Sequence, residues 1–258
     1  MARLLDAASE QWLSMPAPVT SLPLTMAIRF RPTQLGTPDM RLMELHNDGV
    51  SGNKVHLHTG ANDRLQATHA PSNGSAKAWL NEAFVLNVWH SAVAVFASNS
   101  SRTIYMTGAT PVTNTTAQSS ISGIDILRVG KYGWNTPTHE YHANAAVCDA
   151  AIWDAALTTD QVGAYLAGWS PLKIARSDLA CYIPFGGLDG DHDRDLISDT
   201  TLTAYNSPTW TDHPSGLIYR DEPKFIRSTE SGGGWSLDLS ALRASNRRRI
   251  GAPLTFNG

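Results

Sequence analysis

Short runs in which apolar and polar residues alternate recur through most of the chain. The clearest runs are LTMAIRF (24–30), KVHLHTG (54–60), RTIYMTG (102–108) and GIDILRVG (123–130). In the second run, Val55 and Leu57 share one face of the predicted strand, and His56 and His58 share the opposite face. Alternation with a period of two, in short segments bounded by turn residues, predicts an all-β fold in which two antiparallel sheets form a sandwich.

One short helix is predicted, beginning after Thr158. Thr158 and Gln161 have the spacing of a capping box, in which each side chain bonds to the other residue's backbone amide. Val162 then begins an apolar helical stripe, and Gly168 can end the helix. The element is too short to change the fold class.

The composition is that of a globular chain with enough apolar residues for a large core. Of 258 residues, 42% are hydrophobic and 17% are charged, and the formal net charge is −3. This charge gives no electrostatic basis for binding nucleic acid or an anionic membrane, and no apolar run is long enough to span a bilayer. Because a predicted strand begins near residue 2, we expect no secretory leader. Cys148 and Cys181 are then expected to be reduced thiols in buried strands, with a disulfide between them as the alternative.

The alternation fades after residue 220, and the remaining segment differs in composition. It contains a GGG run, and Arg247, Arg248 and Arg249 stand together near its end. Between residues 221 and 258, six basic residues face four acidic ones. A polar, Gly-rich segment of this kind cannot build a core of its own. We therefore predict a sandwich domain over 1–220 and an extended C-terminal arm over 221–258.

Two stretches carry a family resemblance. Residues 89–108 contain a Trp-His-x-x-x-Ala-Val-Phe strand, a short turn, and a strand that ends in Tyr-x-x-Gly. Residues 153–162 follow the pattern Trp-x-x-x-Leu-Thr-x-x-x-Val. Both resemble laminin-G-like and pentraxin-like domains of the concanavalin-A-like jelly-roll fold, and the resemblance in ordinary order covers about 24–169.

The ends of the predicted sandwich resemble the same family in exchanged order. The segment 179–210 is similar to the one that usually opens these domains, and 4–13 is similar to the one that usually follows it. The order therefore looks circularly permuted, which requires termini that lie close together. We predict that the strand near 3–13 lies beside the strand near 201–210 within one sheet. Structural proteins of tailed bacteriophages resemble the chain in this same arrangement.

An acidic run is the sharpest local candidate for a metal site. Asp189, Asp191, Asp193 and Asp195 alternate in a Gly-containing loop, a pattern that could gather oxygen ligands around Ca²⁺. The run lacks the Gly and Glu of a complete EF-hand loop, and Thr107 stands where related domains usually have Asp. We therefore favour a solvated, turn-forming loop and predict no cofactor. Asp189, Asp191 and Asp193 are kept as weak calcium candidates.

Catalytic residues are not evident in the sequence. Glycan-cleaving sandwiches carry two carboxylates within one strand, as Glu-x-Asp-x-Glu, and no such run occurs here. Glu44, Glu82 and Glu140 stand apart, and we expect them to be solvated. We expect His56 and His58 to be ordinary surface histidines, since no third metal ligand is evident beside them. The chain is therefore predicted not to be an enzyme.

Tryptophans offer candidate contact residues. Trp79 and Trp134 fall in predicted loops, where they could stack on a sugar or contribute to a protein interface, and we favour the interface. Trp12 falls in a strand pattern and is expected to fill the core. The predicted partner-binding residues are Trp79, Trp134, Trp235, Arg247, Arg248 and Arg249.

The resemblance and the missing catalytic set leave three roles open. The favoured one is a capsid decoration or cement protein of a tailed-phage virion, assembled in the host cytoplasm and bound to the major capsid protein or other virion proteins. The second is a tail-associated or receptor-binding module that recognises host glycan, and the third is a glycan-active enzyme. Because few charged residues guard the sheet edges, we expect a homo-oligomer, with a trimer favoured.

Overall fold

The computed structural model describes residues 1–36, 39–48, 50–60, 62–132, 141–186 and 193–214, with the backbone of 225–227 and 235–237. The chain divides into two compact units, Met1–Leu217 and Ile218–Gly258. The strands of the first unit are β1 (Ala2–Leu5), β2 (Trp12–Pro16), β3 (Leu24–Pro32), β4 (Arg41–His46), β5 (Lys54–Gly60), β6 (Arg64–Ala70), β7 (Ala76–Ala83), β8 (His90–Ser98), β9 (Ser101–Met106), β10 (Val112–Asn114), β11 (Ile126–Val129), β12 (Ala145–Trp153), β13 (Leu179–Ile183), β14 (Thr203–Tyr205) and β15 (Thr209–Thr211).

These strands form the predicted sandwich of two antiparallel sheets. The back sheet has the order β10-β9-β8-β3-β12-β1-β15, with β13 also paired to β12, and the front sheet has the order β14-β2-β11-β4-β5-β6-β7. Apolar side chains of the two sheets meet in one core, in which Phe30 and Val147 of the back sheet and Leu45 and Leu57 of the front sheet are fully buried. His56 shares β5 with Leu57 but points to the outer face, as the alternation predicts.

A second apolar cluster covers the outer face of the back sheet. Helix α1 (Thr159–Leu166) begins at Thr158, and both bonds of the predicted capping box to Gln161 are present. Tyr165 of this helix is fully buried, and its ring lies 6.3 Å from that of Trp153 in an edge-on arrangement. The helix therefore shields part of the outer face of the back sheet.

The two ends of the sandwich pair with each other in both sheets. β1 pairs with β15 in the back sheet, and β2 pairs with β14 in the front sheet. The predicted pairing of the segment near 3–13 with the segment near 201–210 is confirmed. Each segment nevertheless forms two strands rather than one, because the chain crosses between the sheets. The Gln11 amide donates to the carbonyl oxygens of Asn206 and Ser207 at 3.1 and 3.2 Å, which ties the two crossings together.

A buried ion pair joins two central strands of the back sheet. Arg29 of β3 donates through Nε to Asp149 of β12 at 3.0 Å, and the two side chains are 4% and 1% exposed. Tyr182 donates its hydroxyl to the other carboxylate oxygen of Asp149 at 2.8 Å. Asp149 lies at a shift of the β3–β12 register and has a φ of +49°. The bulge thus supplies a counter-charge for a guanidinium that is removed from water.

Cys148 and Cys181 are free and buried, in β12 and β13. Burial raises the pKa of both thiols well above its usual value. Both side chains therefore act as small apolar core residues, as predicted for reduced cysteines.

The second unit contains a small hairpin. The backbones of β16 (Phe225–Arg227) and β17 (Trp235–Leu237) pair in antiparallel register. Most of the predicted arm, 221–258, lies outside the described residues. Within the described part of the chain, no helix combines the length and the hydropathy that crossing a membrane requires.

We expect Asp149→Asn to lower the free energy of unfolding by about 3–5 kcal/mol, because it leaves Arg29 buried without its counter-charge. Asparagine tolerates a positive φ, so the bulge itself is retained.

Asp199→Asn is the matched control for this variant. Asp199 also has a positive φ, of 65°, but it pairs with Arg194 at the surface and its side chain is 75% exposed. Its loss should cost less than about 1 kcal/mol. Chemical denaturation of both variants measures the difference, and equal effects would contradict a structural role for the buried pair.

Candidate functional site

The outer face of the front sheet carries polar side chains that cross every strand in register. We call this set the polar row, and its members are Thr203, Ser14, Arg128, Glu44, His56, Thr68 and Lys77. Each member lies directly opposite the next one in the strand pairings. Because side chains alternate along a strand, these residues point away from the core that their sequence neighbours fill.

Glu44 occupies the centre of the polar row and is 0% exposed. His56 Nδ1 lies 3.2 Å from its Oε2, His46 Nδ1 lies 3.4 Å from its Oε1, and Arg41 Nε lies 4.0 Å from Oε2. The expectation that Glu44 is solvated is therefore wrong. The expectation that His56 and His58 are surface histidines is also wrong, since they are 4% and 1% exposed. A carboxylate removed from water needs partners of this kind.

Arg128 determines where the proton of His46 lies. Arg128 Nη1 is 3.1 Å from His46 Nε2, and a guanidinium can only donate. His46 Nε2 is therefore the acceptor, and the imidazole proton sits on Nδ1, facing Glu44. Arg128 Nη2 also donates to Asp48 Oδ1 at 2.5 Å. Burial lowers the pKa of His46, which favours this neutral form.

His58 extends the network toward β6. Its Nδ1 donates to the Thr59 carbonyl oxygen at 2.8 Å, and its Nε2 accepts from the Thr68 hydroxyl at 2.8 Å. Burial, together with the charge of Arg41, lowers the pKa of His58 to about 3. Burial also holds the pKa of His56 well below its usual value. The imidazoles of this face are therefore neutral hydrogen-bonding groups rather than cations.

Two tyrosines pack against the cationic part of this face. The Arg41 guanidinium lies 4.6 Å from the ring centre of Tyr132 and 5.8 Å from that of Tyr141. Lys54 donates to the Tyr132 hydroxyl at 2.7 Å. Rings over cations replace part of the lost hydration through cation–π attraction. Glu44 therefore lies beneath other side chains, out of reach of a ligand on the surface.

An open pocket lies beside the covered part of the polar row. Its volume is about 300 Å³, and its lining residues are Ser14, Met15, Pro16, Asp48, Asp125, Ile126, Thr201 and Thr203. The Asp48 side chain is 48% exposed, and the Asp48 backbone amide donates to Asp125 Oδ1 at 2.9 Å. That bond fixes the Asp125 carboxylate to the backbone of Asp48. The polar side chains of the lining, those of Ser14, Asp48, Asp125, Thr201 and Thr203, offer oxygen atoms.

A stacked aromatic pair lies next to this pocket. The rings of Trp12 and Tyr205 are parallel to within 2°, and their centres are 3.7 Å apart. Trp12 lies directly opposite Tyr205 in the β2–β14 pairing, and each of them is two residues along its strand from the pair formed by Ser14 and Thr203. Two residues of a strand span about 7 Å, so the aromatic pair lies about 7 Å from these pocket residues. Trp12 is 9% exposed and Tyr205 is 38% exposed. Because Trp12 covers one face of the Tyr205 ring, the exposed surface of Tyr205 belongs to the rest of its side chain and backbone.

A second cleft, of about 350 Å³, offers less chemistry. It is lined by Ser21, Leu22, Pro23, Ala97, Ser98, Asn99, Ser120 and Ile121. The described residues of this lining include neither a charged side chain nor an aromatic ring. The pocket on the front sheet is therefore the better candidate for a binding site.

Of the predicted contact residues, only Trp79 has a side chain within the described part of the chain. The prediction that Trp79 lies in a loop is wrong: Trp79 is part of β7, on the outer face of the front sheet, and is 51% exposed. The alternation of β7, with Ala76, Ala78 and Leu80 buried, continues through it. The predicted residues Trp134, Asp189, Asp191, Arg247, Arg248 and Arg249 lie outside the described residues, as does the side chain of Trp235.

The described part of the acidic run is bound by protein groups. Arg3 donates through Nε to Asp193 Oδ1 at 2.8 Å. Asp195 is 0% exposed, and its Oδ1 accepts from the backbone amides of Tyr182 and Ile197 at 2.7 and 3.1 Å. The expectation of a solvated loop is therefore wrong for Asp193 and Asp195, because both carboxylates are buried and have partners within the chain.

Sequence reasoning missed the residues that build the candidate site. Glu44, His46 and Asp48 follow one another with a period of two, so the pattern Glu-x-His-x-Asp was a usable signal for one strand face. Tyr205 gave no such signal, because β14 spans only three residues. Asp125 lies in a loop and becomes part of the site only through its contact with Asp48.

A possible ligand set for a metal occurs elsewhere in the described residues. Cys148, Asp149 and His213 each offer a donor atom, and these atoms lie within 4.8 Å of one another. Both carboxylate oxygens of Asp149 are already bound, by Arg29 and by Tyr182. A cation here would have to displace a buried guanidinium, so the set is better explained as part of the core.

His58→Gln should change the pH dependence of stability. The folded-state pKa of His58 is about 3, against a usual value of 6.5. Between these values the unfolded chain binds a proton that the folded chain does not, so acidification removes stability. Glutamine can form both hydrogen bonds but does not titrate. We expect the Tm of the wild type, relative to that of the variant, to fall as the pH drops below about 6.5; a Tm difference independent of pH would contradict this assignment.

Comparison with known proteins identifies the fold family. The sequence pattern of the "Concanavalin A-like lectin/glucanases superfamily" matches residues 7–163. Comparison with curated protein sequences finds no significant match. A candidate carbohydrate-binding protein from Bacteroides ovatus superposes with a TM-score of 0.55 and 15% identity, over 81% of this chain and 58% of its own. The heptameric SAP-like pentraxin from Limulus polyphemus superposes with a TM-score of 0.52 and 16% identity, over 77% of this chain and 87% of its own.

At such identities the superpositions show a shared fold and no more. This chain spans 58% of the length of the Bacteroides ovatus protein, which therefore has parts that this chain does not match. The superfamily pattern, in contrast, covers more than half of this chain, from β2 to the helix. Sequence pattern and architecture agree, and the chain belongs to the concanavalin A-like lectin/glucanases superfamily.

Proposed function

We propose that the chain is a non-catalytic glycan-binding module whose binding site is the front-sheet pocket together with the ring face of Tyr205 that Trp12 does not cover. The observation that carries the proposal is the position of an exposed, stacked aromatic ring beside a pocket whose lining includes two carboxylates and three hydroxyls. This is the second of the three roles that the sequence leaves open.

The chemistry of the site suits a sugar. The apolar face of a pyranose ring can pack on an aromatic face, and Tyr205 is held in place for this by its contact with Trp12. Sugar hydroxyls need several hydrogen-bonding groups at fixed positions, and Asp48, Asp125 and Thr203 supply oxygen atoms in the adjacent pocket. The separation of about 7 Å between the two features allows one sugar unit on the ring and the next unit in the pocket.

The absence of catalysis is supported by the position of Glu44. Glycoside hydrolysis requires two carboxyl groups that flank the scissile bond. Glu44 and Asp48 share one strand face, but Glu44 is 0% exposed and His46 lies between the two carboxylates. Of these two carboxylates, a glycan on the surface would meet only Asp48, and the other carboxylate in the pocket lining is that of Asp125. The polar row is therefore better suited to hold the sheet face rigid than to cleave a bond.

The family context supports a role in carbohydrate recognition. The superfamily is named for both lectins and glucanases, and the Bacteroides ovatus protein is a candidate carbohydrate binder. A shared fold does not determine a shared ligand, so the site residues carry the proposal.

A second candidate role is decoration of a tailed-phage shell as a homo-oligomer. Its support is the phage-like arrangement of the two ends and the separate C-terminal unit, Ile218–Gly258, which a module that only binds glycan does not need. The two roles are compatible, because a virion protein can present a glycan-binding face. The number of copies in purified particles distinguishes a shell position from a tail position, since a decorating protein must match the symmetry of the shell.

Tyr205→Ala should weaken glycan binding by about tenfold or more, because it removes the stacking surface. Tyr205→Phe keeps the ring and should bind nearly as well as the wild type. The measurement is binding of the purified full chain to an array of neutral oligosaccharides and of oligosaccharides that carry sialic or uronic acid, followed by titration with the strongest binder.

Trp169→Ala is the matched control for Tyr205→Ala. Trp169 is 42% exposed, comparable to Tyr205, but it follows helix α1 on the other side of the sandwich. Equal losses in both variants would indicate a general effect on the surface. Unchanged binding by Tyr205→Ala, with its Tm also unchanged, would exclude the proposed site.

A further inference from the structure

We propose that the pocket selects uncharged glycans: it takes a pair of hydroxyl groups from a neutral sugar and rejects sugars that carry a carboxylate or a sulfate. This inference rests on the proposed function, because it names the ligand class of the same site. Its basis is the balance of hydrogen-bond donors, acceptors and charges around the pocket.

The pocket offers acceptors in excess of donors. Asp48 and Asp125 are carboxylates that can only accept, whereas Ser14, Thr201 and Thr203 carry hydroxyls that can do both. A ligand must therefore bring donors. The hydroxyls of a neutral sugar can donate to the carboxylates, so that Asp48 and Asp125 each accept from one hydroxyl of the ligand.

Basic groups next to the pocket are already engaged. Arg128 donates to Asp48 and to His46, and its side chain is only 10% exposed. Lys131 places its ammonium 4.7 Å from the ring centre of Trp12, and Arg194 pairs with Asp199. Among the residues that the structure describes, the lining of the pocket contains no basic side chain.

This arrangement gives the pocket a net negative charge. Arg128 compensates the charge of Asp48 through a bond of 2.5 Å, whereas Asp125 is exposed and receives a neutral backbone amide. An anionic sugar would bring further acceptors and a like charge, so its charged group would lose water and gain only neutral hydroxyl donors beside a carboxylate. The same array of neutral and acidic oligosaccharides can detect this selectivity.

We expect neutral oligosaccharides to bind and their sialylated or uronic-acid counterparts to bind at least about tenfold more weakly. Asp125→Asn keeps an oxygen for the Asp48 amide but removes the charge, so it should reduce the difference in affinity between neutral and acidic oligosaccharides. Asp160→Asn is the control, because it changes the net charge of the chain equally on the exposed first turn of α1. Asp160→Asn should leave the difference in affinity between neutral and acidic oligosaccharides unchanged.

Binding of neutral oligosaccharides should also be unaffected by EDTA, since sugar hydroxyls rather than a cation contact the carboxylates.

The outcomes separate this inference from the proposed function. Tighter binding of acidic glycans, lost in Tyr205→Ala, would overturn the selectivity and leave the glycan-binding role intact. Binding that EDTA abolishes would also overturn it, because the two carboxylates would then hold a cation. A chain that binds no glycan on the array would overturn the proposed function, and the selectivity with it.

Discussion

Glu44 places the strongest physical constraint on this molecule. Its carboxylate lies at the centre of a sheet face that would ordinarily be wet, yet it has no contact with solvent. A buried carboxylate is tolerated only with charge compensation and hydrogen bonds, and His46, His56 and Arg41 surround it. Removal of any one partner would leave a charge or a donor unmatched, so the strands that carry them are held in one register.

The form of the binding face follows from this constraint. The neutralised centre is covered by side chains such as Tyr132, so no ligand can occupy the middle of the sheet. Access is left at the β2–β14 side, where Ser14 and Thr203 end the polar row and the strands of the two chain ends pair. Arg128 connects the two regions, since it bonds both to His46 under the cover and to Asp48 at the pocket. Arg128 thereby holds the Asp48 carboxylate in place at the pocket, and a fixed polar group of this kind contributes to a preorganised site.

Much of the fold could be predicted from residues close in sequence. Alternation separated His56 from Leu57, the spacing of Thr158 and Gln161 determined the helix start, and resemblance indicated that the chain ends pair. Burial of the outer face could not be predicted, because it depends on side chains distant in sequence that cover it. Trp12 is an example. The strand pattern predicts that it fills the core, and it is buried, but it lies beneath Tyr205 on the outer face of the front sheet rather than between the sheets. Only the register of β2 against β14 reveals that aromatic pair.

We propose that ligands bind at the β2–β14 side of the front sheet. The most direct test of this position is to record backbone amide chemical shifts of the full chain during titration with the strongest-binding oligosaccharide of the array. We expect the largest changes in amide chemical shift at the residues that line or flank the pocket, namely Ser14, Asp48, Ile126, Thr203 and Tyr205. Changes concentrated instead around Ser21, Asn99 and Ser120, at the uncharged cleft, would contradict it.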